Sequence, residues 1–208
     1  KRAKTVDIKY RLPSQGPVAH LVIDATGLKV YGEGEWKIRK HGKEKRRVWR
    51  KLHLAVDATT HAVIAAEVSL ETVADNEVLP TLLNPLRRKI KQVSADGAYD
   101  TKACHALLKK KGAKATIPPR KNAAPWEEDH PRNEAVTALK AGELKQWKKD
   151  SGYHQRSIAE TAMYRFKQLI GPTLSLRNYN AQVGEILAGV KVMNKLIGLG
   201  MPVRQPVN

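Results

Sequence analysis

Two stretches of this 208-residue chain end an apolar run in the same three residues. "HLVIDATGLKVYG" (20–32) carries Asp24, and "HLAVDATTHAVIA" (53–65) carries Asp57. A carboxylate at the end of a hydrophobic strand is either an oxygen ligand for a hard cation or a turn-forming group. A third carboxylate, Asp96, lies in "KQVSADGAYD", where Gly97 lets the backbone turn sharply after a strand. A plain Asp-Gly turn is the competing reading, and Asp100, four residues on, stands where a helix cap belongs. The fourth group is helical. In "SGYHQRSIAETAMYRFKQLIG", Tyr153, Arg156, Glu160 and Lys167 fall within an arc of about 60° at roughly 100° per residue. Ile158, Ala162, Phe166 and Leu169 fall on the opposite side, so the helix can pack one face and present a tyrosine, two cations and a carboxylate on the other. A solvated face with an Arg156–Glu160 pair four residues apart is the alternative.

Other chemistries fit less well. Cys104 and His105 are adjacent, and no second cysteine or spaced histidine pair completes a zinc site. No G-x-x-x-x-G-K loop is present, and "GEGEW" carries carboxylates where phosphates would sit. Tyr153 as a covalent nucleophile stays open. The lone cysteine builds no internal disulfide and fits a reducing cytosol; a buried, inert thiol is expected.

Charge points to the partner. Lysine and arginine total 38 against 20 acidic residues, a net +18. An excess of that size implies a polyanion, most often nucleic acid. Much of it lies in "KIRKHGKEKRRVWRKLH", where Lys37, Arg39, Lys40, Arg46 and Arg47 form a ribbon suited to DNA phosphates. A solvated hairpin is the alternative. Nothing spells base recognition, and no signal peptide or membrane-spanning segment is visible.

The elements that must position these residues read as follows. Residues 1–17 are a basic linker or arm, and because the chain does not begin with methionine an upstream segment is expected. Strands start at Val18, in "VWRKLHLAVD" and in "AVIAAEVSLE", the last two joined by a short hairpin at Thr59, Thr60 and His61. A helix follows an Asp75/Asn76 cap signal. "KQVS" is a strand, Asp100 or Thr101 caps the next helix to Gly112, and "AKATIPP" is a short strand. Residues 119–150 are expected to be irregular. The helix of Tyr153–Lys167 and a tail helix from roughly Ala181 to Leu199 complete the domain of 18–200, with a tail at 201–208. Three strands in succession favour antiparallel neighbours, and strands separated by helices favour parallel crossovers. The fold class expected is α/β, a mixed sheet flanked by helices in the RNase H-like pattern.

The spacing Tyr-x2-Arg-x3-Glu-x6-Lys resembles the signature of IS4/IS5-type insertion-sequence transposases, a branch of the DDE recombinases. "IDATGLKVYGEGEWKIRKHG", "RRVWRKLHLAVD", "ADGAYDT", "IPPRKN" and "SGYHQRS" resemble the IS903-like IS5 group, and the likeness runs from about residue 1 to about residue 200. "EEDHPRNEAVTALKAGEL" is less similar. The resemblance implies a transposase catalytic domain that cleaves transposon ends by metal-assisted hydrolysis and joins the 3′-hydroxyl to target DNA. It implies Asp24, Asp96 and Glu160 as catalytic carboxylates and ligands of two Mg²⁺ ions, with Mn²⁺ able to substitute. Two such ions stabilise the attacking and leaving oxygens of an in-line displacement. It further implies that Tyr153, Arg156 and Lys167 support the transition state or contact DNA, that the chain acts as a homodimer on transposon ends and target, and that it works in the bacterial cytoplasm at the nucleoid. Trp126 is a candidate for stacking on a base, although packing is the commoner use of an aromatic.

Two other classes stay in view: a transposase-derived DNA-binding protein without activity, and an RNase H-like nuclease that cuts without joining. Between the two Asp-Ala-Thr stretches, topology decides. If the first two strands are antiparallel, Asp24 and Asp57 cannot share an edge, whereas a strand returning by a helical crossover brings Asp96 beside Asp24. Asp57 then belongs to the hairpin turn.

Overall fold

The computed structural model describes residues 16–30 and 48–200. The ribbon residues Lys37, Arg39, Lys40, Arg46 and Arg47 lie outside the described residues, as do most of the expected arm and the 201–208 tail. The first strand, β1 (Val18–Val30), is the longest and sits at the centre of the sheet. Its run of apolar residues is what a strand covered on both faces requires. β2 (Trp49–Asp57) pairs antiparallel with it, and β3 (Val63–Leu70) pairs antiparallel with β2. β4 (Ile90–Ser94) returns on the other side of β1 and runs parallel to it, followed by the parallel edge strand β5 (Lys114–Thr116). The order β3-β2-β1-β4-β5 is the mixed, RNase H-like arrangement expected from the run of strands and helices. A short β6 (Thr173–Leu174), which the sequence does not announce, pairs with the far end of β1 at Lys29 and Val30.

Helices cover both faces. On one, α1 (Asp75–Leu83) and α2 (Lys102–Lys110) bury Leu79, Leu82, Leu83 and Leu108 against Leu21, Ile23 and Ala55. On the other, α5 (Ser157–Leu169) and α6 (Tyr179–Gly198) bury Ala162, Phe166, Ile186 and Val190 against Val22, Leu52 and Leu54. Cys104 is buried in the first layer, as its position in a helix suggests.

Five local expectations need correction. Residues 119–150 are not irregular throughout: α3 (Arg132–Lys140) and α4 (Leu144–Asp150) form there, both short, α3 burying Arg132, Ala135 and Val136 and α4 no residue fully, so neither has a long apolar stripe to betray it. Thr101, not Asp100, caps α2, its hydroxyl accepting from the Cys104 N–H at 3.3 Å. Asp75 does not cap α1; the N-cap is Ala74, and Lys51 claims the Asp75 carboxylate at 2.9 Å. Tyr153–Arg156 is a 3₁₀ turn rather than the first turn of the α-helix. The buried stripe of α5 is Ala159, Ala162, Met163 and Phe166, while Leu169 is 56% exposed. That stripe is rotated by about 50° from the one drawn through the larger apolar residues, because two alanines let the helix lie close to the sheet and the last turn runs past it.

Candidate active site

The register of β1 separates its aspartate from that of β2. Asp24 lies opposite Leu54, and Asp57 lies opposite Leu21. Three residues along a strand is roughly 10 Å, and an odd offset also changes the face. Asp24 therefore points to the α5–α6 layer, whereas Asp57 sits on the α1–α2 side at the hairpin. There its Oδ1 accepts from the Thr59 N–H at 2.9 Å and its carbonyl accepts from His61 at 2.8 Å. Asp57 is turn chemistry.

On the other side of β1, Val22 is level with Ser94 in parallel register. Asp96, two residues past Ser94, is thus level with Asp24. It opens a 3₁₀ turn, Gly97–Tyr99, and its Oδ1 accepts from the Ala98 N–H at 2.9 Å. Gly97 packs closely here: a Cβ on it would come to 3.3 Å from the Pro118 carbonyl oxygen, a tight contact.

The third element is the 3₁₀ turn leading into α5. It docks on β1 and β4 through His20, whose Nε2 lies 2.7 Å from Ser94 Oγ and whose ring also meets Gln155. Gln92 of β4 holds the preceding residue, donating to the Ser151 carbonyl at 2.8 Å. Gly152, at φ 71°, makes the left-handed bend that starts the turn. Arg156 is thereby delivered to Asp24. Its Nη1 donates to Asp24 Oδ2 at 2.7 Å, and its Nη2 donates to Glu160 Oε1 at 2.5 Å. One fork of donors spans both carboxylates. The Asp24 side chain is 16% exposed and that of Glu160 is 54% exposed, so the site opens from a half-buried floor to a wet rim.

The electrostatics follow from this packing. Burial pushes the Asp24 carboxyl above its ordinary value, and the neighbouring Asp96 and Glu160 push the same way, while the Ala25 N–H and Arg156 pull against them. Burial opposes the charge on Arg156, but Tyr153, Asp24, Glu160 and Asp96 outweigh it and hold the guanidinium more firmly protonated. Tyr153 is raised by burial, with Asp96 and Asp24 adding to it. Two cations flank its ring: the Arg156 guanidinium at 5.8 Å and the Lys148 ammonium at 5.3 Å from the centroid.

Asp24, Asp96, Tyr153, Arg156 and Glu160 are therefore gathered in one place. Lys167 is seven residues along α5 from Glu160, roughly 10 Å, half-buried at the far end of the same helix. Trp126 is committed elsewhere. Its ring meets His105 and His130 edge-on at 5.0 and 4.9 Å, and the Arg132 guanidinium lies 4.0 Å from its centroid. A face covered by an arginine is not open to a base.

No group of three or more His, Cys, Asp or Glu side chains among the described residues is drawn together tightly enough to enclose a metal ion. The donors nevertheless suit one. All three are carboxylates, hard oxygen ligands of the kind magnesium and manganese take. They repel one another at Asp24, and the charge now bridging two of them is a cation, the Arg156 guanidinium.

The environment of Asp100 is not evident from its local sequence. This carboxylate, 1% exposed, meets Arg132 through two hydrogen bonds at 2.5 and 2.7 Å and His105 at 3.2 Å. The only local signal was the pair of carboxylates four apart in "DGAYD"; its partner, in the segment expected to be irregular, lies thirty-two residues away.

Two comparisons with known proteins bear on this chain. A solved structure of piggyBac transposase, in a synaptic complex with hairpin DNA, is 14% identical, with a TM-score of 0.46 over 87% of this chain and 47% of that one. The chain thus spans about half the length of that protein. A family profile described as "Transposase DDE domain" matches residues 17–194. That match takes in the six strands among the described residues, Asp24, Asp96 and the helix carrying Glu160, and the chain belongs to the transposase DDE domain family.

Proposed function

We propose that this domain cuts DNA at transposon ends and joins the released 3′-hydroxyl to target DNA, each step an in-line displacement at phosphorus. The observation that carries the reading is the Arg156 bridge between Asp24 and Glu160, with the charge of Asp96 felt at Asp24. Three acids from β1, the β4 turn and α5 converge where a half-buried floor meets solvent.

In this reading Asp24, Asp96 and Glu160 hold two Mg²⁺ ions, or Mn²⁺ in their place. Such ions, when bound, would supply charge stabilisation to the attacking and leaving oxygens. The chain's own residues do the rest. Asp24, half-buried, would serve as a ligand in its ionised form. Arg156 favours that form and holds Glu160 toward Asp24. Once the carboxylates are engaged, its fork is suited to a phosphate oxygen pair. Tyr153, held between two cations, presents its hydroxyl beside the same position. Lys167 and the ribbon of Lys37, Arg39, Lys40, Arg46 and Arg47 neutralise backbone phosphates, contacts that position DNA without reading its sequence. Two ends must be held together, so a homodimer is the working unit, acting in the bacterial cytoplasm at the nucleoid.

A labelled transposon-end oligonucleotide incubated with the protein and Mg²⁺ tests this directly. Joined product is the expected result. Nicking without joining would instead support the nuclease class, and a gel shift without chemistry the inactive DNA-binding class. Glu160→Gln, correctly folded, should lose both cleavage and joining; full activity in that variant would end the reading.

A further inference from the structure

The Asp100–Arg132 pair is buried on both sides, with side chains 1% and 4% exposed. Desolvating two charges is expensive, and an apolar pair of similar volume is often as stable, so such a pair commonly serves to fix one arrangement. Here the arrangement it fixes is specific. The turn that begins with Asp96 ends with Asp100, whose N–H donates to the Gly97 carbonyl at 3.2 Å. The two carboxylates are the first and last residues of one tight loop.

Every oxygen of Asp100 is used. Oδ1 accepts from Arg132 Nε and lies 3.2 Å from His105 Nε2; Oδ2 accepts from Arg132 Nη2 and from the Arg120 N–H at 3.4 Å. The remaining guanidinium nitrogen, Nη1, donates to the Ala124 carbonyl at 2.9 Å, and Trp126 covers the guanidinium face. Arg120 then reaches back, its side chain donating to the carbonyls of Gly97 and Ala98 at 3.3 and 3.4 Å. The Ala98 N–H is the group that holds Asp96 Oδ1. The loop bearing Asp96 is thus clamped from outside by the segment running from Arg120 into α3.

We propose that Asp100, clasped by Arg132 and backed by Arg120, is a positioning residue that sets the aim of the Asp96 carboxylate. This rests on the reading of Asp96 as a metal ligand. The clasp itself touches neither substrate nor metal; it acts through the backbone of the Asp96–Asp100 turn.

The test measures Mn²⁺ binding to the full chain by calorimetry, together with the Mn²⁺ concentration for half-maximal cleavage. Asp100→Asn with Arg132→Met removes both charges at once and leaves none orphaned. The expected result is a folded protein that binds Mn²⁺ about tenfold more weakly and recovers cleavage when Mn²⁺ is raised. Loss of packing alone would not produce a defect that metal restores. Arg120→Met alters an exposed side chain, so it carries the same expectation at about threefold whether or not the double variant folds. Asp96→Asn is the control. If it loses Mn²⁺ binding while folded clasp variants keep wild-type affinity and half-saturation, the clasp is overturned and the ligand reading stands. If Asp96→Asn binds Mn²⁺ as the parent does, both fall together.

Discussion

Arg156 stands between Asp24 and Glu160, 2.7 Å from one carboxylate and 2.5 Å from the other. The contact joins the central strand to the turn that leads into α5, 132 residues later. It also sets a competition, because a guanidinium and a metal ion would seek the same two oxygens.

Arg156→Gln removes the bridge and leaves Asp24 to face Asp96 and Glu160 without it. Stability should fall by about 1 kcal/mol, as for a part-exposed charged pair, and cleavage by about a hundredfold. Because a divalent cation would relieve the same repulsion, added Mg²⁺ should narrow the melting-temperature gap to the parent. Paired thermal melts with and without Mg²⁺ check this; a gap indifferent to Mg²⁺ would count against the competition.

Asp24→Asn and Asp57→Ala should separate chemistry from stability. Burial raises the Asp24 carboxyl, so its ionised form works against the fold. Stability from such a group is present at low pH and lost as pH rises through the raised value. At neutral pH, Asp24→Asn should therefore melt no lower than the parent while losing cleavage altogether. Asp57→Ala strips the hairpin of its bond to the Thr59 N–H. It should cost about 1–2 kcal/mol and cleave normally at temperatures where it is folded. Equal loss of chemistry in both folded variants would overturn the assignment.

Acid sensitivity should come first from His53. Its ring is fully buried in β2, Nε2 lies 2.8 Å from Ser69 Oγ, and Nδ1 has no hydrogen-bond partner among the described residues. Burial lowers its pKa to about 4. The neutral ring's contribution is present above the unfolded value near 6.5 and is lost as pH falls toward 4, on the order of 2–3 kcal/mol. His20, lowered by burial with Gln155 opposing, adds to the same slope. Urea unfolding of His53→Gln at pH 7, 5 and 4 should show a flatter decline than the parent; an unchanged slope would remove His53 as its cause.

Much of the architecture was legible in residues 18–118. There, alternation and turn residues are strong, and strand direction alone separates Asp24 from Asp57. The wheel through Tyr153, Arg156 and Glu160 brought the right side chains together, although the 3₁₀ turn carries two of them. What could not be read has a common cause. Arg132 finds Asp100 only in the folded chain, and α3 and α4 are too short and too polar to announce themselves. Asp75 and Asp100 look like helix caps until Lys51 and Arg132, distant in sequence, take them. Local rules describe what a side chain can do, and long-range partners decide which of those things it does.

The spread of the site along the chain has a consequence for incomplete products. A polypeptide broken off between Thr116 and Arg156 would carry Asp24 and Asp96 but lack the bridging arginine, Glu160 and the two helices that cover one face of the sheet. If Asp24, Asp96 and Glu160 act together as proposed, such a fragment would leave DNA uncut.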